Sequence, residues 1–250
     1  MFSGGIGSWA AARRVADRYG IEGLTLLFTD TLIEDADLYR FLREAAANVG
    51  GQLVELREGR TPWEVFRDHR FLGNTRVDLC SRILKREMAD RWLEANCDPA
   101  ETILYVGIDW TEIHRWERMA ERKLPWKVEA PLCAPPYLAK ADLIALARTA
   151  GLEPPRLYAL GFQHNNCGGG CVKAGQGHFA HLLRTLPVVY ADWERHEQEL
   201  RADLGDVAIL RDRRGDEMRP LSLAELRERI EGGEGVDQFE LGGCGCFVDG

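Results

Sequence analysis

Between residues 8 and 151 short apolar runs alternate with amphipathic ones, and this alternation constrains the fold more than any other feature. "GLTLLFTD" (23–30), "QLVELRE" (52–58) and "TILYVGID" (102–109) have the length and apolar content of buried strands. Helical patterns lie between and around them. The first covers 8–19 and stops at Gly20. The second covers 34–51, with Leu38, Phe41, Leu42, Ala45, Ala46 and Val49 on one face. Thr61-Pro62 opens a short helix over 61–68, and longer ones are expected over 80–95 and 138–151. Strands alternating with helices predict an α/β fold with a doubly wound, mostly parallel sheet. Ligands of such sheets bind beyond the carboxyl ends of the strands. Ser3–Ser8, Asp30 and Gly107–Asp109 all fall at such ends and should meet in one crevice.

After residue 160 the texture changes. "LGFQHNNCGGGCVKAGQGH" is too rich in glycine and cysteine to be regular throughout, and the chain ends in "ELGGCGCFVDG". The expected organisation is an α/β domain over 1–160 and a Cys/Gly-rich, helical C-terminal extension over 161–250 that completes the crevice. A net charge of −8 argues against a surface built mainly for nucleic acid. No apolar run approaches the ~18–20 residues of a membrane span, and no leader pattern precedes the glycine turn. The expected location is the cytoplasm. There, seven cysteines suggest metal or redox chemistry rather than a disulfide framework. Cys167/Cys171 and Cys244/Cys246 form close pairs, whereas Cys80, Cys97 and Cys133 are scattered.

The turn Ser3-Gly4-Gly5-Ile6-Gly7-Ser8 stands directly before the first helix, an arrangement that suits an anionic group. Two readings fit it. Gly5-Ile6-Gly7-Ser8-Trp9-Ala10 matches the G-x-G-x-x-A form of the dinucleotide fingerprint, with Asp30 twenty residues beyond Ala10. Ser3-Gly4-Gly5-x-x-Ser8 matches the S-G-G-x-x-S loop of enzymes that cleave ATP between its α- and β-phosphates. A Walker A loop is excluded, because no Lys-Ser/Thr follows the glycines.

The rest of the chain separates the two. "FTDTLIEDADLYRFL", "CSRILKREMADRW", "VGIDWTEIHRWER" and "APLCAPPYLAKADLIALARTAGLEPPRLYALGFQHNNCGGGC" follow the glycine turn in order. Together they resemble the PAPS-reductase-like branch of the PP-loop superfamily, over about 1–171. The resemblance implies an adenine nucleotide, ATP with Mg²⁺ in the first instance, held by Ser3, Gly4, Gly5, Gly7, Ser8, Asp30, Arg82, Gly107 and Arg115. It also implies catalytic roles for Lys85 and Asp109. Three departures stand out: Gly7 replaces a common aspartate, so Asp30 or Asp109 would have to place Mg²⁺. Only Met1 and Phe2 precede the loop, so either the chain begins upstream or the central strand is very short. Where the reductases pair two cysteines, this chain has Leu79-Cys80.

Arg82 and Lys85 lie three apart on an expected helix, hence on one face; they either neutralise leaving pyrophosphate or form solvated ion pairs. His114, His164 and Arg118 are weaker candidates. The resemblance implies Cys80 as a cluster ligand; with Cys167, Cys171 and the terminal Cys244 it would supply the four thiolates of a 4Fe–4S cluster, with zinc as the alternative and unliganded thiols as a third outcome. Cys246 is then a candidate nucleophile. The expected reaction is adenylation of an acceptor followed by sulfur transfer. The acceptor would be a nucleobase or nucleic acid, with a sulfur- or electron-donating partner protein and no membrane. A sulfonucleotide reductase releasing sulfite and a non-catalytic nucleotide sensor are the alternatives.

Overall fold

The computed structural model describes residues 1–74, 77–214 and 217–236. Cys244 and Cys246 therefore lie outside the described residues. The order of elements begins α1 (Ile6–Tyr19), β1 (Thr25–Asp30), α2 (Ala36–Val49), β2 (Gln52–Arg57) and α3 (Pro62–Asp68). A broken helix follows: α4 (Leu79–Ser81), a π-helical stretch Arg82–Arg86, and α5 (Glu87–Asn96). Next come β3 (Ile103–Tyr105), α6 (Ile113–Arg122), β4 (Lys127–Glu129), α7 (Lys140–Thr149) and α8 (Arg156–Ala159). The remainder is α9 (Gln176–Thr185), α10 (Pro187–Leu204), the hairpin β5 (Leu210–Asp212) and β6 (Arg219–Leu221), and α11 (Leu223–Glu231). No helix among the described residues is long and apolar enough to cross a membrane.

β1 and β2 pair in parallel from Thr25↔Gln52 to Asp30↔Arg57. Helices cover both faces of the pair, as a doubly wound arrangement requires. Trp9 of α1, Leu38, Phe41 and Leu42 of α2 and Leu143 of α7 pack with Leu26 and Phe28 on one side. The π-helical stretch and α5 lie against the other. β3 and β4 form a second parallel pair, from Ile103↔Lys127 to Tyr105↔Glu129.

The expected doubly wound, mostly parallel sheet is seen in part: the described strands form two-stranded units, two of them parallel. Between β1 and β3 run only Met1 and Phe2. Phe2 donates its N–H to Leu27 O and the Met1 ammonium donates to Tyr105 O, each at 2.8 Å. Two residues make too few bonds for a ladder. A cleft of about 570 Å³, lined by Ala12, Val15, Leu26, Trp92 and Leu104, separates the two pairs.

The largest apolar cluster crosses residue 160. Trp63 and Phe66 of α3, with Ile83 and Leu84, pack against Phe162, Phe179, Tyr190 and Trp193. The cysteine-rich segment is thus built onto α3 and the π-helical stretch.

Candidate functional site

The opening turn is shaped by where its glycines touch other backbone. Gly4 has φ +73, and a Cβ there would lie 2.9 Å from Leu38 Cδ2. A Cβ on Gly7 would stand 2.9 Å from Gly107 O, and one on Gly107 would stand 2.7 Å from Ser8 N and Cα. The α1 N-terminus and the loop after β3 therefore meet backbone to backbone, which only glycine permits at both positions. The glycine at position 7 has a packing reason, and a side chain there, aspartate included, would push the two segments apart. Ser3 Oγ donates to Ser8 Oγ at 3.3 Å, and Ser8 Oγ donates to Gly5 O at 2.8 Å, closing the turn. The N-cap of α1 is Gly5, which has no side chain to cap the first-turn donors. Ile6 N–H donates to the hydroxyl of Tyr158, from α8, at 3.2 Å. Unspent N–H groups and the positive end of a 14-residue helix make this a place for an anion.

The end of β1 is organised by Asp30, which is 1% exposed. Its carboxylate accepts from Leu32 N at 2.9 Å, Tyr39 Oη at 2.7 Å and Arg57 Nε at 3.1 Å. Burial and this carboxylate push the Tyr39 phenol upward, so it remains a donor. Asp30 thus holds a tight turn in which Leu32 adopts φ +64, an unusual conformation for a branched residue. The turn delivers Glu34 into the interior with its side chain 1% exposed. Glu34 accepts from Thr31 Oγ1 at 2.9 Å, Lys85 Nζ at 3.4 Å and the backbone N–H of Cys167 at 2.5 Å.

Lys85 and Arg82 do not share a face, contrary to the helical spacing. The stretch Arg82–Arg86 is π-helical, so residues three apart no longer eclipse. Lys85 turns inward, 5% exposed, toward Glu34, while Arg82 lies 55% exposed beside Glu87 at 3.5 Å. Lys85 lines a small apolar pocket together with Cys80, Cys167, Cys171 and Lys173. The turn carrying the last two thiols is left-handed at three successive residues: Cys167 (φ +54), Gly168 (φ +62) and Gly169 (φ +95). Gly168 packs on Ile33 O, where a Cβ would stand 3.0 Å away, and a Cβ on Gly170 would stand 2.3 Å from the Trp193 ring. His178 Nε2 contacts Gly169 O at 2.6 Å, and its ring stacks on His164 at 5.2 Å. Burial lowers the pKa of His178, which favours the neutral ring as a donor to that carbonyl.

Three of the five described thiols, Cys80, Cys167 and Cys171, line one pocket, which suits thiol chemistry. Among the described residues, however, no group of three or more His, Cys, Asp or Glu is placed to hold a metal ion. A cluster or zinc would need ligands from outside the described residues.

Beyond β3, Asp109 accepts from Thr111 N at 2.9 Å and Thr111 Oγ1 at 2.5 Å, capping the short 3₁₀ turn Trp110–Glu112. Arg115 pairs with Glu112, while His114 and Arg118 are exposed. Arg14 of α1 donates to Pro131 O, Ala134 O and Pro136 O, fixing the loop after β4 against the same helix.

Asn165 joins the two halves of the site: its Nδ2 donates to Gly4 O at 3.0 Å, two residues before Cys167. The structure therefore brings Ser3, Gly4, Gly5, Gly7, Ser8 and Gly107 together at one turn. It sets Lys85, Cys80, Cys167 and Cys171 around the adjoining pocket. Arg82 faces away, Asp30 is engaged by Leu32, Tyr39 and Arg57, and Asp109 caps the turn after β3. Glu34, Tyr158 and Asn165 were not singled out from the sequence. An acid four residues past a strand end and a polar pair before a cysteine turn were the signals available.

The chain is similar to a crystal structure of phosphoadenylyl-sulfate (PAPS) reductase from Candida auris in a phosphate complex, with a TM-score of 0.45 and 17% identity. The match covers 65% of this chain and 78% of that one. No family model matches the chain. No curated protein matches it. A likeness at that level carries no weight on function, and the functional reading rests on the site itself.

Proposed function

We propose that the chain is an adenine-nucleotide-dependent enzyme whose chemistry takes place between the opening turn and the thiol pocket. One observation carries this reading: the cysteine turn is bonded to both nucleotide-side elements. Asn165 holds Gly4 O, and the N–H of Cys167 is held by Glu34. The phosphates would sit at the α1 N-terminus, held by N–H groups of Gly5, Gly7 and Ser8 and by Ser3. An acceptor oxygen would attack the α-phosphorus, breaking its bond to the β-phosphate oxygen and releasing pyrophosphate. A sulfur nucleophile would then displace AMP from the adenylated acceptor, thiolating a nucleobase or nucleic acid. The protein's share is positioning and charge stabilisation. Lys85 supplies positive charge in the thiol pocket, and the close contact of Gly7 with Gly107 fixes the turn. Mg²⁺, if used, would be carried in by the nucleotide, because Asp30 is already engaged by Tyr39 and Arg57 and Asp109 caps a turn. A 4Fe–4S cluster on Cys80, Cys167, Cys171 and Cys244 would supply bound sulfur or an electron.

A second reading, reduction of an adenylyl sulfate with Cys246 as the attacking thiol, is favoured by Gly7. The turn has no carboxylate to organise a metal, and this reaction does not cleave ATP. A single assay separates the two: pyrophosphate released from ATP supports the first reading, and sulfite released from an adenylyl sulfate supports the second. Nucleotide binding with neither product would leave a sensor.

A further inference from the structure

Asn165 is 2% exposed. Its NH₂ end is fixed by donation to Gly4 O at 3.0 Å, because a carbonyl can accept only from that end of the amide. The other end, Oδ1, is buried and has no hydrogen-bond partner among the described residues. A buried acceptor left unpaired is costly, and natural structures rarely tolerate one. The same amide is bonded to Gly4 O, in the opening turn two residues before α1 begins. The N–H groups there are donors and suit the ionised oxygens of a phosphate. Oδ1 asks the opposite of a ligand: it needs a donor. Free pyrophosphate in its ionised form offers acceptors and would leave Oδ1 unpaired.

We propose that Asn165 determines specificity by accepting a hydrogen bond from an O–H donor on the ligand at the opening turn, so that the site favours a nucleotide complex bearing that donor over free pyrophosphate. This rests on the nucleotide reading above and names what else the ligand must carry. The O–H belongs either to a sugar hydroxyl or to a water of a divalent cation bridging the phosphates.

The test measures the affinity of the native chain for ATP, 2′-deoxy-ATP, 3′-deoxy-ATP and pyrophosphate, each with Mg²⁺ and with a chelator. It is repeated with Asn165→Ala and Asn165→Ser. The contact with Gly4 is common to every ligand, so its loss cancels in the ratio of Mg²⁺–ATP affinity to metal-free pyrophosphate affinity. That ratio is expected to fall about tenfold in Asn165→Ala, the worth of one lost hydrogen bond to a buried acceptor. If the donor is a sugar hydroxyl, one deoxy analogue binds the native chain about tenfold more weakly than ATP and is indifferent to Asn165→Ala. If it is a cation's water, chelation has that effect instead. Should the variants fail to fold, the native ligand series decides alone. An unchanged ratio, or a native chain indifferent to both deoxy analogues and to chelation, overturns the role of Asn165. Failure of the native chain to bind ATP or pyrophosphate at all overturns the nucleotide reading, and this inference falls with it.

Discussion

At Glu34 a single buried carboxylate takes donors from three segments of chain: Thr31, Lys85 and the backbone of Cys167. Removing one partner of such a pair leaves the other charge buried without compensation, whereas removing both is far milder. Glu34→Gln and Lys85→Met should each destabilise the fold by about 3 kcal/mol. The double variant should recover more than half of the summed loss, as read by a denaturant double-mutant cycle; additive losses would show that the pair is not coupled. At the turn, Gly7→Asp should not improve metal-dependent activity. Its Cβ would meet Gly107 O at 2.9 Å, and overpacking of this kind costs about 1–3 kcal/mol. A Gly7→Asp protein of native stability with tighter Mg²⁺–ATP binding would refute that packing account. The glycine turn was legible in the sequence because it is a local pattern. Glu34 and Asn165 were not, because their roles come from partners about 50 to 160 positions away.

The elements around the thiol pocket show a different limit of reading from spacing. Arg82 and Lys85 are three apart and share a face only if the helix has 3.6 residues per turn. The π-helical stretch breaks that premise and separates an exposed arginine from a buried lysine. Glycine spacing was a better guide: the Cys167–Cys171 turn needs left-handed backbone at Gly168 and Gly169 and close contact at Gly170. Gly170→Ala should cost about 1–3 kcal/mol, because its Cβ would stand 2.3 Å from the Trp193 ring. It should also speed thiol modification at Cys171; a stable variant with unchanged thiol reactivity would show the turn to be slack. The same element carries a pH dependence. Burial lowers the pKa of His178 below its ordinary value of 6.5, so the folded state favours the neutral ring. The stability this contributes is complete above 6.5 and is lost as pH falls beneath it, by at most about 1.4 kcal/mol per pH unit. His178→Gln keeps a donor for Gly169 O without a titrating ring. Its unfolding free energy should fall less steeply than the native chain's from pH 6.5 to 5.5, and equal slopes would count against the assignment.

For the whole molecule, alternation of strands and helices correctly indicated α/β architecture with parallel strand pairs. A very short central segment was among the expectations, and Met1 and Phe2 bond there to β3 and β1 respectively. Local pattern could not show that α3 and the π-helical stretch share a core with residues beyond 160. That shared core sets the cysteine turn against the turn after β1, while Asn165 links it to the opening turn, which makes one site of two distant motifs. Thiol alkylation, followed cysteine by cysteine by mass spectrometry in reduced, chelator-treated protein with and without ATP, tests this central claim most directly. ATP bound at the opening turn should slow modification of Cys80 and Cys167 and leave Cys97, in the cleft between β1 and β3, unchanged. Equal rates at all three with ATP demonstrably bound would contradict a single site joining nucleotide and thiols.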